Sequence, residues 1–289
     1  MTLKRRKVLW GLLASVTGAS IITRVSSASS SASPIIEVST PEDFFRAIGS
    51  NRTIRLTAPQ YNLSSLNPQL EWTHAAMSQV FDGYELIVKN VENLTITSAT
   101  NQRSLVSSEF RYAAVLKFDN CRNITINNVE SGHWPKKGYC RGSVIYTSNC
   151  QNVQIDKSVL FGSGTYGIEA YNSDRIVIND SVIKECTYGI VSLNGMKNFT
   201  ANRCQFHSNV DVFTLTYIQG SPGPIAFKDC VFDRNICKGY EPSLFEVENS
   251  QPIVLENCLL RNNVADKFSK FADTVQLVNT KMENNQLKE

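Results

Sequence analysis

Eight segments of this chain follow one template, Asn-x-x-Asn-hydrophobic-x-hydrophobic: NVENLTI, NCRNITI, NCQNVQI, NSDRIVI, GMKNFTA, SPGPIAF, NSQPIVL and the degraded FADTVQL. Their first apolar residues are Leu94, Ile124, Val153, Ile176, Phe199, Ile225, Ile253 and Val275, spaced by 22 to 30 residues. A minimal step near 22 with small insertions is what stacked coils of a solenoid require. Within each copy the apolar residues alternate, as in Ile124/Ile126 and Ile176/Ile178, a period of two that belongs to strands and not to helical repeats. Each step has room for two or three short strands broken by Gly, Asn, Asp or Ser. One coil therefore gives one strand to each of several parallel sheets, and coils stack about 4.8 Å apart.

Ladders follow from the stacking. Asn90, Asn120, Asn149, Asn172 and Asn249 fall at one repeat position, interrupted by Gly195, Ser221 and Phe271, and are expected to pair their amides from coil to coil as buried groups. Val129, Ser158, Ser181, Cys204, Cys230, Cys258 and Thr280 form a second row of small core residues. The duplicated Thr165-Tyr166-Gly167-Ile168 and Thr187-Tyr188-Gly189-Ile190 are the same turn in adjacent coils.

These repeats resemble the right-handed parallel β-helix of the pectate-lyase-like superfamily over about residues 84–285. The expected fold is all-β: a solenoid of about eight coils with an N-terminal capping helix at STPEDFFRAIG, where Thr40 starts the helix, Pro41 sits in its first turn and Gly49 stops it. Three parts are expected: 1–33, an export signal and Ser/Ala tract; 34–83, cap helix, first coil and an insertion at 64–83 with Trp72 and His74; and 84–289, the β-helix. No plug comparable to the cap is expected at the C-terminal end.

Residues 1–33 combine the basic Lys4-Arg5-Arg6-Lys7, a moderately apolar run and the small-residue tract SSASSSAS, the layout of an export signal, twin-arginine-like in KRRKVL. The run is too short and too rich in small residues for a stable membrane span. The mature chain is therefore expected to be exported to the periplasm, envelope or medium. Removing the signal changes the formal net charge from +3 to about −2, and no basic stripe remains, which argues against a nucleic-acid partner.

Five of the eight cysteines (Cys121, Cys150, Cys204, Cys230, Cys258) are expected to point inward as free thiols. Cys140, Cys186 and Cys237 are placed in turns or loops, where a Cys140–Cys186 bridge is one alternative. No spacing suits zinc, and no metal or cofactor is expected.

Counting back from the Asn ladder, one outer sheet face carries Lys117, Tyr146, Glu169, Ser192 and Glu246, with Asp119, Ser148, Tyr171, Asn194 and Glu248 two residues on. Aromatic faces beside hydrogen-bonding groups suit a sugar chain. The ligand-binding candidates are Tyr146, Tyr171, Trp134, Lys117, Tyr166 and Tyr188, and the partner is a polysaccharide. The alternative is a lyase, glycoside hydrolase or epimerase with Glu169 and His133 as catalytic residues, His133 lying in the long excursion SGHWPKKGYCRG. Motifs resembling those of the hydrolases in this superfamily (Asn-Thr-Asp, Asp-Asp, Gly-His-Gly, Arg-Ile-Lys) are absent, and the acids are too dispersed for a pectate-lyase calcium site. Binding without turnover is the reading the residues favour.

If the twin-arginine route carries the precursor, replacing Arg5 and Arg6 by Lys blocks export. Normal export of that variant in cell fractionation would assign the signal to the general secretory route.

Overall fold

The computed structural model describes residues 33–137 and 141–288; the export signal expected at 1–33 falls, but for Ser33, outside them. The described chain winds into a parallel β-helix of three long sheets. Seven complete turns lie between Glu92 and Ser269, with an incomplete turn at either end, against the eight expected. The first sheet contains all eight template strands in mutual register: Leu94 pairs with Ile124, Ile124 with Val153, Val153 with Ile176, Ile176 with Phe199, Phe199 with Ile225, and Ile253 with Val275. Ile124, Ile126, Ile176 and Ile178 are fully buried, as the alternation requires. The second sheet runs from Gln60–Asn62 to Lys281–Glu283, and the third ends at Lys267–Ser269.

A single left-handed residue makes each of two corners per coil. Between the third and first sheets these are Asn90, Asn120, Asn149, Asn172, Gly195 and Gly220, with φ between 47° and 65°. Between the first and second they include Asn128, Lys157, Asp180, Arg203, Asp229, Asn257 and Asn279. Asn and Asp tolerate this conformation because their short side chains bond locally; Gly has no Cβ to clash. From Asn90 to Asn172 the Asn ladder is thus a row of exposed corner residues, not buried filler, and one amide pair along it is direct, Asn120 Nδ2 donating to Asn90 Oδ1 at 2.6 Å; Asn249 is instead half-buried outside the left-handed region, its Oδ1 accepting from Ser221 N at 2.9 Å. In the sixth copy the corner is Gly220, not Ser221, because SPGP carries one extra residue before the strand. Ser221 is buried instead, its hydroxyl accepting from Met196 N. In the last copy Asp273, not Phe271, holds the left-handed turn.

The row Val129, Ser158, Ser181, Cys204, Cys230, Cys258 is buried as expected. Cys186 and Cys237 are buried too, and burial pushes both thiols up to about 12. The described cysteines are free thiols, Cys186 among them; Cys140, its candidate partner, lies outside the described residues.

The third corner contains a buried ladder that the repeat template missed. Asn209 Nδ2 donates to Asn235 Oδ1 (2.8 Å), Asn235 Nδ2 to Asn263 Oδ1 (2.9 Å) and Asn263 Nδ2 to Asn285 Oδ1 (2.9 Å). Each amide also donates to a carbonyl of the preceding coil, as Asn235 does to Phe206 O at 2.9 Å. Asn209, Asn235 and Asn263 are fully buried, and their polar atoms are satisfied by one another and by backbone.

The cap helix is Pro41–Ala47, with Thr40 Oγ1 accepting from Asp43 N at 3.0 Å and Ile48 closing it one residue before Gly49. Phe44, Phe45 and Ile48 are buried over the first coil, and Phe44 packs 6.2 Å from Tyr61. The insertion at 64–83 is ordered: Glu71–Trp72 and Ala75–Val80 pair antiparallel with each other and with Gly83–Lys89, extending the third sheet past its first parallel strand. At the far end Val275–Val278 and Lys281–Glu283 pair in register while most of their side chains are exposed.

Asn235→Leu should cost about 3 kcal/mol, because in a dry corner it takes the side-chain acceptor from Asn209 N and Nδ2, one of the two donors from Asn263 Oδ1 and the amide donor from the Phe206 carbonyl. Asn149→Gly, at an exposed left-handed corner, should stay within about 0.5 kcal/mol of wild type. Urea unfolding midpoints compare the two; equal costs would remove the buried ladder from its place in stability.

Candidate functional site

The outer face of the third sheet holds two rows set by strand register. Tyr146 pairs with Lys117 and Glu169, Glu169 with Ser192, Ser192 with Tyr217, and Tyr217 with Glu246. The second row is Asp119, Ser148, Tyr171, Asn194, Gln219 and Glu248. Alternation turns both rows outward, about 4.8 Å apart per coil, and puts Ile168, Ala170, Val191, Leu193, Thr216 and Ile218 inside. Tyr217 and Gln219 join the rows expected from the sequence. Anchoring that coil on Ser221 shifts its register by one residue and sets apolar Ile218 outward, which hides both.

Over the middle of this face lies an open groove of about 650 Å³. Its floor is Glu169, Tyr171, Ser192, Asn194, Tyr217, Gln219 and Glu246. Its lip comes from the segments joining the second and third sheets and the first residues of the strands they lead into: Arg141, Thr165, Tyr166, Tyr188, Phe213 and Thr214. The lip aromatics stand one per coil and touch in sequence. Tyr166 and Tyr188 are edge-on with centroids 6.2 Å apart, Tyr188 and Phe213 edge-on at 5.1 Å. Phe213 is 54% exposed although it is a large apolar ring. Gly189 is required here, since a Cβ at this position would meet Thr214 O and Leu215 O and push the two coils apart.

Four of the sequence-derived candidates therefore meet in one groove: Glu169, Tyr171, Tyr166 and Tyr188. Tyr146 stands beside it, stacked on Tyr171 with centroids 5.4 Å apart and planes at 27°. Lys117 lies over Tyr146 at 5.0 Å, but its ammonium donates to Glu85 Oε1 at 2.6 Å, and Glu85 is buried. Lys117 is thereby held at the edge of the face, two coils short of the groove floor.

His133 is elsewhere. The second-sheet strand runs Val129–His133, into the first three residues of the excursion SGHWPKKGYCRG in which His133 was expected, and its alternation turns Val129, Ser131 and His133 inward. The His133 ring is 1% exposed, with Nε2 2.9 Å from Ala113 O, and burial lowers its pKa, keeping it neutral. Gly132 lets this strand pack against Phe161, whose carbonyl would collide with a Cβ. Trp134 follows on the surface, tied through its backbone N–H to Ser108 O at 3.1 Å, and does not line the groove.

Glu169 is half-buried on the groove floor, and burial raises its carboxyl from 4.5 to about 7. Desolvation also raises the phenols of Tyr166, Tyr171 and Tyr217, which remain protonated donors at neutral pH. Glu246 is paired with Lys270 Nζ at 2.6 Å, and Glu248 accepts from Gln219 Nε2 at 2.8 Å. Among the described residues no cluster of three or more His, Cys, Asp or Glu side chains could hold a metal ion.

A profile described as the right handed beta helix region matches residues 81–288. The chain belongs to the right-handed β-helix family. Among solved structures it is similar to a pectate lyase from Paenibacillus sp. 0602 (TM-score 0.60, 11% identity, 87% of this chain and 78% of that one). It is also similar to an alginate lyase from Paenibacillus sp. str. FPU-7 (TM-score 0.52, 11% identity, 89% of this chain and 98% of that one). At such identities the likeness is one of fold. No curated protein matches the sequence. Among the described residues of this β-helix protein no helix is long and apolar enough to cross a membrane.

The raised Glu169 carboxyl makes stability depend on pH with a definite sign. The folded state prefers the neutral acid, so this contribution is complete below about 4.5 and lost as pH rises through about 7. Glu169→Gln, which cannot ionise, should gain on wild type in melting temperature between about pH 5 and pH 8. A pH-independent difference would show that the carboxyl is solvated.

Proposed function

We propose that this protein binds a polysaccharide along the third-sheet groove, after export to the periplasm, envelope or medium. The observation that carries the reading is the row Tyr166, Tyr188, Phe213, one aromatic per coil, facing Tyr171 and Tyr217 across a floor of Ser192, Asn194 and Gln219. Aromatic faces cover the apolar faces of sugar rings, and hydroxyl and amide groups between them exchange hydrogen bonds with the sugar hydroxyls. The sheet is rigid and its rows repeat with the coil spacing, so the groove is formed before a chain arrives and little ordering entropy opposes binding. An export signal at the N-terminus and structural likeness to proteins named as lyases of pectate and alginate agree with a glycan partner.

Glu169 supports a second reading. A half-buried carboxyl at about 7, on the groove floor, can give or take a proton at neutral pH, the property of a general acid or base in lyases, hydrolases and epimerases. Tyr171 and Tyr166 line the same groove and are the hydroxyl groups available as its partner. In this reading His133 has no part, since its ring is enclosed.

Two measurements on the same panel of neutral and acidic polysaccharides separate the readings. Affinity electrophoresis should show retention on at least one glycan, weakened about tenfold by Tyr188→Ala or Phe213→Ala, the effect of losing one well-packed aromatic contact. Release of reducing or unsaturated ends, abolished by Glu169→Gln, would make the groove an active site. Neither retention nor release on any glycan would overturn the proposal.

A further inference from the structure

Resting on that reading of the groove, we infer that its ligand is an uncharged, hydroxyl-bearing glycan and not a polyuronate. The charges of the face are arranged against a polyanion. Glu169 and Glu246 stand at the two ends of one floor row, with Asp119 and Glu248 in the row beside it. The cations that could oppose them are committed: Lys117 to the buried Glu85 at 2.6 Å, and Lys270 to Glu246 at 2.6 Å. Among the described residues Arg141 is the one basic side chain lining the groove, and it belongs to the lip.

A uronate polymer laid along the axis carries a carboxylate on every ring. Recognition of such a chain calls for a cation or a forked guanidinium at successive subsites, and here successive coils offer Glu169, Ser192, Tyr217 and Glu246 instead. A uronate brought over the ionised Glu169 would meet a like charge in a partly desolvated groove, and over Glu246 it would find the neighbouring Lys270 ammonium already taken, so the floor offers repulsion and no free cation to discriminate between glycans of similar shape.

The same groups complement an uncharged sugar. Carboxylates accept hydrogen bonds from hydroxyls, and Glu246 and the ionised form of Glu169 offer strong acceptors. Asn194 and Gln219 carry both donors and acceptors, Ser192 and Thr214 hydroxyls that do both, and the tyrosine phenols are protonated donors. A polyol can satisfy all of them without bringing a charge of its own.

The test is affinity electrophoresis of the full mature chain at about pH 8, where Glu169 is ionised, in gels containing galactomannan, xyloglucan, a β-1,3-glucan, polygalacturonate or alginate, each with and without calcium. The expected result is retardation by at least one neutral glycan, lost in Tyr188→Ala, and at least tenfold weaker retardation by both polyuronates. Retardation by a polyuronate as strong as by any neutral glycan, with or without calcium, overturns the inference and leaves the groove reading standing. Neutral retardation unchanged in Tyr188→Ala places the sugar off the groove and overturns the inference as well. Retardation by none of the five overturns the groove reading itself, and the inference with it.

Discussion

One residue in the left-handed conformation, followed by one small buried residue, is the device on which the molecule rests. Asn120 then Cys121, Asn149 then Cys150 and Asn172 then Ser173 turn the chain from the third sheet into the first, and Asp180 then Ser181 turns it into the second. The exposed member absorbs a sharp change of direction that most residues resist, and the buried member fills the corner, with Cys or Ser at these four and Met196 after Gly195. With two corners made this way, the strands between them keep a nearly constant perimeter. Constant perimeter is what lets strands stack in register, and register is what turns scattered residues into rows.

The third corner obeys a looser rule, and the lip of the groove collects there. Its buried asparagines hold four successive coils together on the inside, while the outside varies from one coil to the next in length and side chain. Tyr166, Tyr188 and Phe213 leave the stack at this corner and overhang the neighbouring sheet. The groove is thus one regular wall and one irregular one: a floor dictated by the repeat, a lip free to change. Glu169 acquires its raised pKa from this overhang, since the same position on a bare sheet face would be solvated.

Much of this was legible in the residues. The eight apolar anchors of the template all occupy the first sheet, and both outer rows of the third sheet emerge as counted in every coil but that of Tyr217 and Gln219, because period-two alternation and fixed corner residues are local rules that burial enforces. What escaped notice failed for identifiable reasons. The extra residue in SPGP moves the corner to Gly220, and a slip of one reverses the facing of a whole strand, so Tyr217 and Gln219 were lost together. His133 was assigned to a loop because Trp134-Pro135 breaks the pattern immediately after it, yet the strand continues up to that break. Asn209, Asn235, Asn263 and Asn285 recur at the repeat spacing, each after a left-handed residue, a signal present in the sequence but masked by the commoner asparagines of the other corners. Lip residues such as Phe213 and Arg141 had no such signal, since loop geometry follows from tertiary packing and not from period.

The proposed binding track, assembled at one lip aromatic and two floor residues in each of its first three turns, has a modular length. Duplicating one coil, for example the 23 residues from Asn172 to Asn194 between two equivalent corners, would lengthen the track by about 4.8 Å and leave its cross-section as it was. Excising a coil would shorten it by the same increment. For this architecture the reach of the groove along a polymer is a discrete variable, open to change by recombination at the corners without redesign of the interior.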